Sequence, residues 1–347
     1  MRGALFILGF LVAVAFVPGI VDAATAGRWA VLAIGVPLLL MLRGDNVIVQ
    51  RHAVDWAIVL GLIVAGTSVL WSSDWLGGLD ELSHLIILAG VFWLAAQVED
   101  TEPAWLGLAA GVTVSAVVAL GQASGWHPVP EAGGGHPAGL FINPNMLAEA
   151  GLVAAVPLLV GWRRWYWALG PVAAMLLGGS RAVIGALLIV VALHCYRRAP
   201  MVSLAIVGML MLAFGWIVTH HDPSWTEHAS IWTAAIADLH LFGNGLGSFA
   251  ADFGRAEYAH NEPLHFVYEL GVLALPILAL ALYLMNRTKY DDALVLVAIL
   301  AISLFSFPLH MPVTGFAAAL AAGGIARRGY LVRDSFATCA MDRGRYA

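Results

Sequence analysis

Apolar positions along this chain are gathered into long runs, and short polar segments separate the runs. An apolar helix of about 20 residues spans a bilayer, and in lipid a helix satisfies its own backbone hydrogen bonds. The pattern therefore predicts an all-α, polytopic integral membrane protein with about 12 transmembrane helices. The approximate limits of the predicted spans are 3–21, 26–42, 53–71, 82–97, 103–122, 145–162, 165–179, 181–196, 201–219, 264–285, 291–307 and 312–326.

The predicted spans form a single transmembrane domain. Residues 1–327 make up this domain, with long outer loops at about 123–144 and 220–263, and residues 328–347 form a short cytoplasmic tail. The first span follows Arg2 and has the pattern of a signal peptide. Because further spans follow it, we interpret it as a retained anchor.

The composition supports a membrane protein. Apolar residues make up 61% of the 347 residues and charged residues only 11%, whereas a soluble domain has about 25% charged residues. The 17 Lys and Arg residues are fewer than the 22 Asp and Glu residues, so no nucleic-acid surface is expected. Cys195 and Cys339 form no CxxC motif and predict neither a disulfide nor a metal site.

Basic residues predict the orientation of the spans. If both termini lie in the cytoplasm, most Lys and Arg residues fall on the cytoplasmic side, as the positive-inside rule requires. Only Arg28, Arg181 and Arg255 then lie outside. Most histidines also fall in or beside the outer loops, so a functional site is expected on the outer face.

Two polar groups mark the outer ends of spans. Asn143 can cap a helix that Pro144 begins, which places Asn145 and Glu149 on one face of the sixth span. The alternative is an ordinary helix start, but a carboxylate within a span costs about 2.5–3.5 kcal/mol and normally has a partner or lines a wet cavity. Arg181 opens the eighth span with a planar fork that fits phosphate, although an arginine that reaches lipid headgroups is the alternative.

Histidines precede and begin the tenth span. His260 and Asn261 lie on the preceding loop, where His260 can face a substrate. His265 and Glu269 are four residues apart on one helical face, so the carboxylate could orient the ring. Imidazole exchanges protons near neutral pH, which makes these histidines candidates for acid–base chemistry. The alternative for His265 is a hydrogen-bonded histidine at the membrane interface.

Two patterns in the second outer loop suggest ligands only weakly. The alternating glycines of residues 243–247 lack the βαβ context of a nucleotide site, although a turn of amides that binds an anion stays open. The run His220-His221-Asp222 could suggest a metal site, but adjacent histidines point apart on a helix and no third ligand is clearly placed. We therefore predict no metal and no cofactor.

In chain order, these motifs resemble the O-antigen ligase and O-antigen polymerase superfamily over most of the chain. The most specific part is His260-Asn261, nine further residues and then Gly271. The family pattern often continues Gly-x-x-Gly, where this chain has Ala274. The other motifs that resemble the family are Gly139 to Asn145, Ser180-Arg181-Ala182, and Trp232 followed by residues 243–249.

The resemblance implies a metal-independent glycosyltransferase of GT-C-like architecture in the bacterial inner membrane. It would take a glycan from undecaprenyl pyrophosphate at the periplasmic face and pass it to lipid A-core, to a second lipid-linked glycan or to a protein hydroxyl. On this basis His260 would be the general base and Arg181 would hold the pyrophosphate. Asn261 and Glu269 would support the histidine.

The chain departs from the family in its outward arginines. His228 stands near the position of one family arginine, and His136 corresponds to another. Arg255 could replace one of them, because neutral histidine is a weaker ligand for pyrophosphate than arginine. Two other classes stay open: a transporter or flippase of a polyprenyl-linked glycan, and a non-catalytic scaffold of the cell envelope.

Overall fold

The structure is a computed structural model in which all regular secondary structure is helical over the described residues. This confirms the predicted all-α class. The described residues are 1–19, 22–43, 53–129, 136–160, 164–196, 199–219, 223–254, 258–275, 279 and 291–344.

The α-helices are numbered here in chain order. They are α1 (Arg2–Val14), α2 (Ala26–Leu42), α3 (Ala53–Ser68), α4 (Trp75–Gln97), α5 (Glu102–Ala123), α6 (Pro144–Val160), α7 (Leu169–Gly178), α8 (Arg181–Tyr196), α9 (Pro200–Thr219), α10 (Pro223–Ala237), α11 (Ser248–Phe253), α12 (Glu262–Leu270), α13 (Asp291–Ser303) and α14 (Pro312–Gly344). Short 3-10 turns lie at Val69–Trp71, Gly139–Phe141, Trp165–Ala168 and Gly271–Ala274.

Three described helical segments are long and apolar enough to cross a membrane. They are Val54–Trp71, Trp75–Gln97 and Glu102–Ala123. Shorter apolar helices of 10–17 residues accompany them, and together these helices support a membrane protein. The number of about 12 spans and the GT-C-like architecture stay predictions.

Several helices end at different residues from the predicted spans. α4 begins at Trp75, ahead of the predicted span, because the Asp74 carboxylate accepts a hydrogen bond from the backbone N–H of Gly77 (3.0 Å) and caps the helix. α12 ends at Leu270, within the span predicted at 264–285, because Gly271 turns to φ 61° and ψ −142°. α14 continues helically to Gly344, through most of the segment predicted as a tail.

α1 and α5 pack with their backbones in contact. A Cβ on Gly9 of α1 would overlap the carbonyl oxygen of Ala104, and a Cβ on Gly107 of α5 would overlap that of Phe6. Small residues allow this close approach, which favours the association of helices in lipid. α1 also supplies buried residues to the main apolar core, so the first helix is an integral part of the bundle.

Arginine contacts gather at one end of the bundle, which we call the basic end. Arg2 pairs with Asp100 (2.6 Å), and Arg164 pairs with Glu102 (3.1 Å). Arg327 of α14 donates a hydrogen bond to a backbone carbonyl at the end of α4 (3.0 Å). The other end, where α4 and α12 begin and where α13 leads into α14, carries histidines and buried carboxylates, and we call it the histidine end.

Candidate functional site

The start of α12 fixes the position of His260. The Asn261 side chain accepts a hydrogen bond from the backbone N–H of Leu264 (3.0 Å) and caps the helix. It also donates to the carbonyl oxygen of Leu304 after α13 (3.2 Å). His260 directly precedes this cap and has φ 50°. A non-glycine residue at positive φ costs about 1–3 kcal/mol, and such residues cluster at functional sites.

Aromatic side chains enclose the His260 ring on two sides. Its centroid lies 4.6 Å from that of His228 and 5.0 Å from that of Phe307. Trp232, on the same helix as His228, donates a hydrogen bond from its indole N–H to the carbonyl oxygen of Ala259 (2.7 Å). The loop that carries His260 is therefore attached to α10 on one side and to the loop after α13 on the other.

The surroundings of His260 favour its neutral form. Burial, and to a smaller extent the neighbouring His228 ring, lower the pKa of His260 to about 4. The ring is thus uncharged near pH 7 and has a lone pair that can accept a proton. Because the folded-state pKa lies below the ordinary value, His260 contributes less to folding stability as the pH falls from about 6.5 toward 4.

His265 and Glu269 are brought together as their spacing predicts. Both side chains are almost fully buried, and His265 Nε2 lies 3.4 Å from Glu269 Oε1. Glu269 Oε1 also accepts a hydrogen bond from the backbone N–H of Phe249 at the start of α11 (3.2 Å). Glu269 therefore lies against His265, whereas the sequence predicts that it supports His260.

His310 and Glu81 complete a buried cluster with His265, and the sequence analysis did not place either of them at this site. His310, in the loop before α14, shares a hydrogen bond with Glu262 through its Nδ1 (2.9 Å), and its Nε2 lies 3.8 Å from Glu81 Oε2 of α4. Its ring centroid is 4.6 Å from that of His265. Burial acts to lower the pKa of His310, but Glu262 and Glu81 outweigh this effect and raise the pKa above its ordinary value.

The start of α6 agrees with the local prediction. Asn143 Oδ1 accepts a hydrogen bond from the backbone N–H of Asn145 (2.9 Å), where α6 begins. The Glu149 carboxylate is buried and accepts a hydrogen bond from the Ser306 hydroxyl (2.6 Å). Asn145 is exposed, so the two residues that share a predicted face lie in different surroundings.

Arg181 and His136 lie near the same turn. Arg181 is the exposed first residue of α8. The preceding turn contains Gly179 at φ 64°, and the His136 ring lies in van der Waals contact with the position that a Cβ of Gly179 would occupy. Arg255, like the pair His220 and His221, lies outside the described residues.

Arg28, one of the three arginines predicted to lie outside, is buried. Its guanidinium donates hydrogen bonds to backbone carbonyls of Ala13 (3.2 Å), Ala24 and Leu140 (2.9 Å) and lies 4.1 Å from the ring centre of Phe141. These contacts hold the turn before Asn143 against α1 and α2. Arg28 is therefore an anchor of this loop, which its sequence position alone does not indicate.

No protein-family model matches the chain, and no curated protein matches it either. The chemistry of the histidine end therefore rests on the geometry of its own residues.

Proposed function

We propose that this protein is a membrane-embedded glycosyltransferase that moves a glycan from undecaprenyl pyrophosphate to an acceptor hydroxyl at the outer face of a bacterial inner membrane. The observation that carries the proposal is the position of His260, which is half-buried and has φ 50° directly before the Asn261 cap of α12. A general base needs a free lone pair at a fixed position; the lowered pKa of His260 keeps the ring unprotonated and at the same time makes it a weaker base than an ordinary histidine. The other groups at the histidine end supply polar and cationic surroundings.

In the proposed reaction, His260 accepts the proton of the acceptor hydroxyl as its oxygen attacks the anomeric carbon of the donor. The bond from this carbon to the pyrophosphate oxygen breaks, and the pyrophosphate leaves with the electron pair. Arg181 would neutralise the charge that develops on the leaving group, with His136 near the same turn. Asn261 would act by position, because its cap holds the turn that carries His260.

Arg181→Lys is expected to lower kcat/KM for the lipid-linked donor by about 10-fold or more, because an ammonium cannot reproduce the two parallel hydrogen bonds of a guanidinium. The measurement is donor-dependent transfer by purified protein in proteoliposomes, with the acceptor saturating. Arg28→Lys is not a suitable control, since Arg28 anchors a loop. Arg164→Lys, at the basic end, is the matched control. Full activity of Arg181→Lys would exclude the proposed contact with pyrophosphate.

The pH profile of transfer is expected to show its acid limb near pH 4, well below the ordinary histidine value, because the base stays unprotonated until that pH. His228→Ala makes the His260 ring less buried and removes the neighbouring imidazole, and both changes should raise the pKa of His260. The acid limb should therefore move upward, toward pH 6.5. His240→Ala, at an exposed histidine between α10 and α11, should leave the limb in place. An acid limb near pH 6.5 in the wild-type protein would contradict the assignment of His260.

The proposed function is tested most directly in a strain that lacks the gene. Surface polysaccharide is separated on a gel with and without the wild-type protein. Loss of glycan from lipid A-core would indicate a ligase, whereas single repeat units would indicate a polymerase. An unchanged pattern, or accumulation of donor on the cytoplasmic side of the membrane, would contradict a transferase, and the latter result would favour a flippase.

A further inference from the structure

The buried cluster at the histidine end combines ligand atoms from three separate parts of the chain. Glu81 comes from α4, His265 from α12, and His310 from the loop before α14. One carboxylate oxygen and one imidazole nitrogen from each histidine all lie within 4.8 Å of one another. Neighbouring ligands of a tetrahedral zinc ion are about 3.4 Å apart, so small side-chain rotations would bring these three atoms around one ion.

The hydrogen bonds of His310 prepare its ring for a cation. Nδ1 lies 2.9 Å from Glu262 Oε1, the same oxygen that accepts from the backbone N–H of Leu309 (2.9 Å). A ring that donates from Nδ1 to a carboxylate can present an Nε2 lone pair to a cation once the cation displaces the Nε2 proton, and here Nε2 faces Glu81 (3.8 Å). This is the arrangement of a carboxylate that orients a metal-binding histidine.

Buried polar atoms point into the cluster without satisfying one another. Among the described residues, His265 Nε2 and Glu269 Oε2 have no hydrogen-bond partner, although both side chains are at most 1% exposed. Glu81 also faces Glu269. Facing carboxylates, and an imidazole nitrogen whose contact with Glu269 Oε1 is 3.4 Å long, are costly to bury unless a shared proton or a cation compensates them.

The contact between the Ala259 N–H and His265 Nδ1 does not prevent metal binding. At 3.4 Å it is longer than an ordinary hydrogen bond. Binding through His265 Nε2 would move the ring proton to Nδ1 and give up this weak hydrogen bond from the Ala259 N–H, so the ion has to offset its loss.

We propose that Glu81, His265 and His310 bind a divalent transition-metal ion of the Zn²⁺ class, with Glu269 available as a fourth ligand and Glu262 orienting His310. Two imidazoles with carboxylate oxygens suit Zn²⁺ better than Ca²⁺ or Mg²⁺, which prefer oxygen ligands alone. The ion would join α4, α12 and the loop before α14. It takes no part in the transfer step, and the proposal is independent of the proposed function.

The test is metal binding by the full-length protein in detergent. After removal of metal with a chelator, wild-type protein is expected to bind one equivalent of Zn²⁺ in titration calorimetry and to give the intense visible bands of tetrahedral Co²⁺ when cobalt is added. Glu81→Gln and His310→Gln should each lose the tight site. Glu262→Gln, which removes only the orienting group, should weaken binding by about 10- to 100-fold.

The double variant His220→Gln/His221→Gln is the control for binding at the other histidine-rich segment and should bind Zn²⁺ as the wild type does. Circular dichroism and the elution volume of each variant show whether it is folded. The absence of Zn²⁺ and Co²⁺ binding in the wild type would overturn the proposal, since a proton would then be the occupant of the cluster. Loss of binding only in the double variant, with binding retained in folded His310→Gln, would overturn it as well.

Discussion

His260→Asn is expected to lower the rate of glycan transfer by about 10²- to 10⁴-fold, the usual contribution of a general base. Asparagine is among the residues that tolerate positive φ best, so this substitution removes the imidazole and keeps the backbone turn before α12. Transfer is measured with purified protein in proteoliposomes and by restoration of surface polysaccharide in the deletion strain.

A comparison with His260→Ala distinguishes the loss of the imidazole from a loss of folding stability. Alanine is less suited to φ 50°, so His260→Ala should be less stable to heat than His260→Asn, while both should be equally inactive. His240→Asn, at an exposed position between α10 and α11, should transfer at the wild-type rate. A folded His260→Asn protein that retains more than about a tenth of wild-type activity would rule out a general base at this position.

Gly271→Ala is expected to destabilise the protein by about 3–5 kcal/mol, enough to lower its yield in the membrane sharply. Gly271 has φ 61° and ψ −142°, a region that side chains rarely adopt. A Cβ there would also overlap the backbone of Leu241 and Gly243, in the turn that packs against the end of α12. The measurement is the temperature of aggregation in detergent together with the amount of folded protein in the membrane.

Gly254→Ala is the matched control for Gly271→Ala. Gly254 has φ 63° and a negative ψ, but no described atom would lie within 4 Å of an added Cβ. It should therefore show only the backbone strain of about 1–3 kcal/mol. Equal losses of stability in the two variants would mean that the contact between α12 and the 241–243 turn is not what makes Gly271 necessary.

The helical class and many helix positions follow from the sequence, because a helix in lipid needs an apolar run and an apolar run is visible in one dimension. Helix ends follow less well, since single residues determine them. Asp74 begins α4 ahead of the apolar run that marks it, and Gly271 ends α12 inside an apolar run. Both signals can be seen in the sequence, but an aspartate or a glycine near a span has several other uses.

The candidate site is readable from the sequence only where its parts are close in the chain. The pairing of His265 with Glu269 follows from their spacing of four residues. The cap of α12 by Asn261 is also a local contact, but the sequence predicts Asn261 only on the preceding loop. Glu81 and His310 join the same cluster through tertiary packing, and no local pattern connects them. A carboxylate within an apolar helix such as α4 does predict a buried partner, but not which partner.

The backbone contact between α1 and α5 has a consequence for the order of assembly. α1 leaves the ribosome before α5, the helix that fits its Gly9 face, and α2, α3 and α4 lie between them in the chain. Formation and association of helices are separable stages, so α1 is synthesised early and acquires its principal neighbour late. Two co-expressed fragments divided after α5 should therefore reassemble more efficiently than two fragments divided between α2 and α3, where α1 would begin without its partner on the same chain.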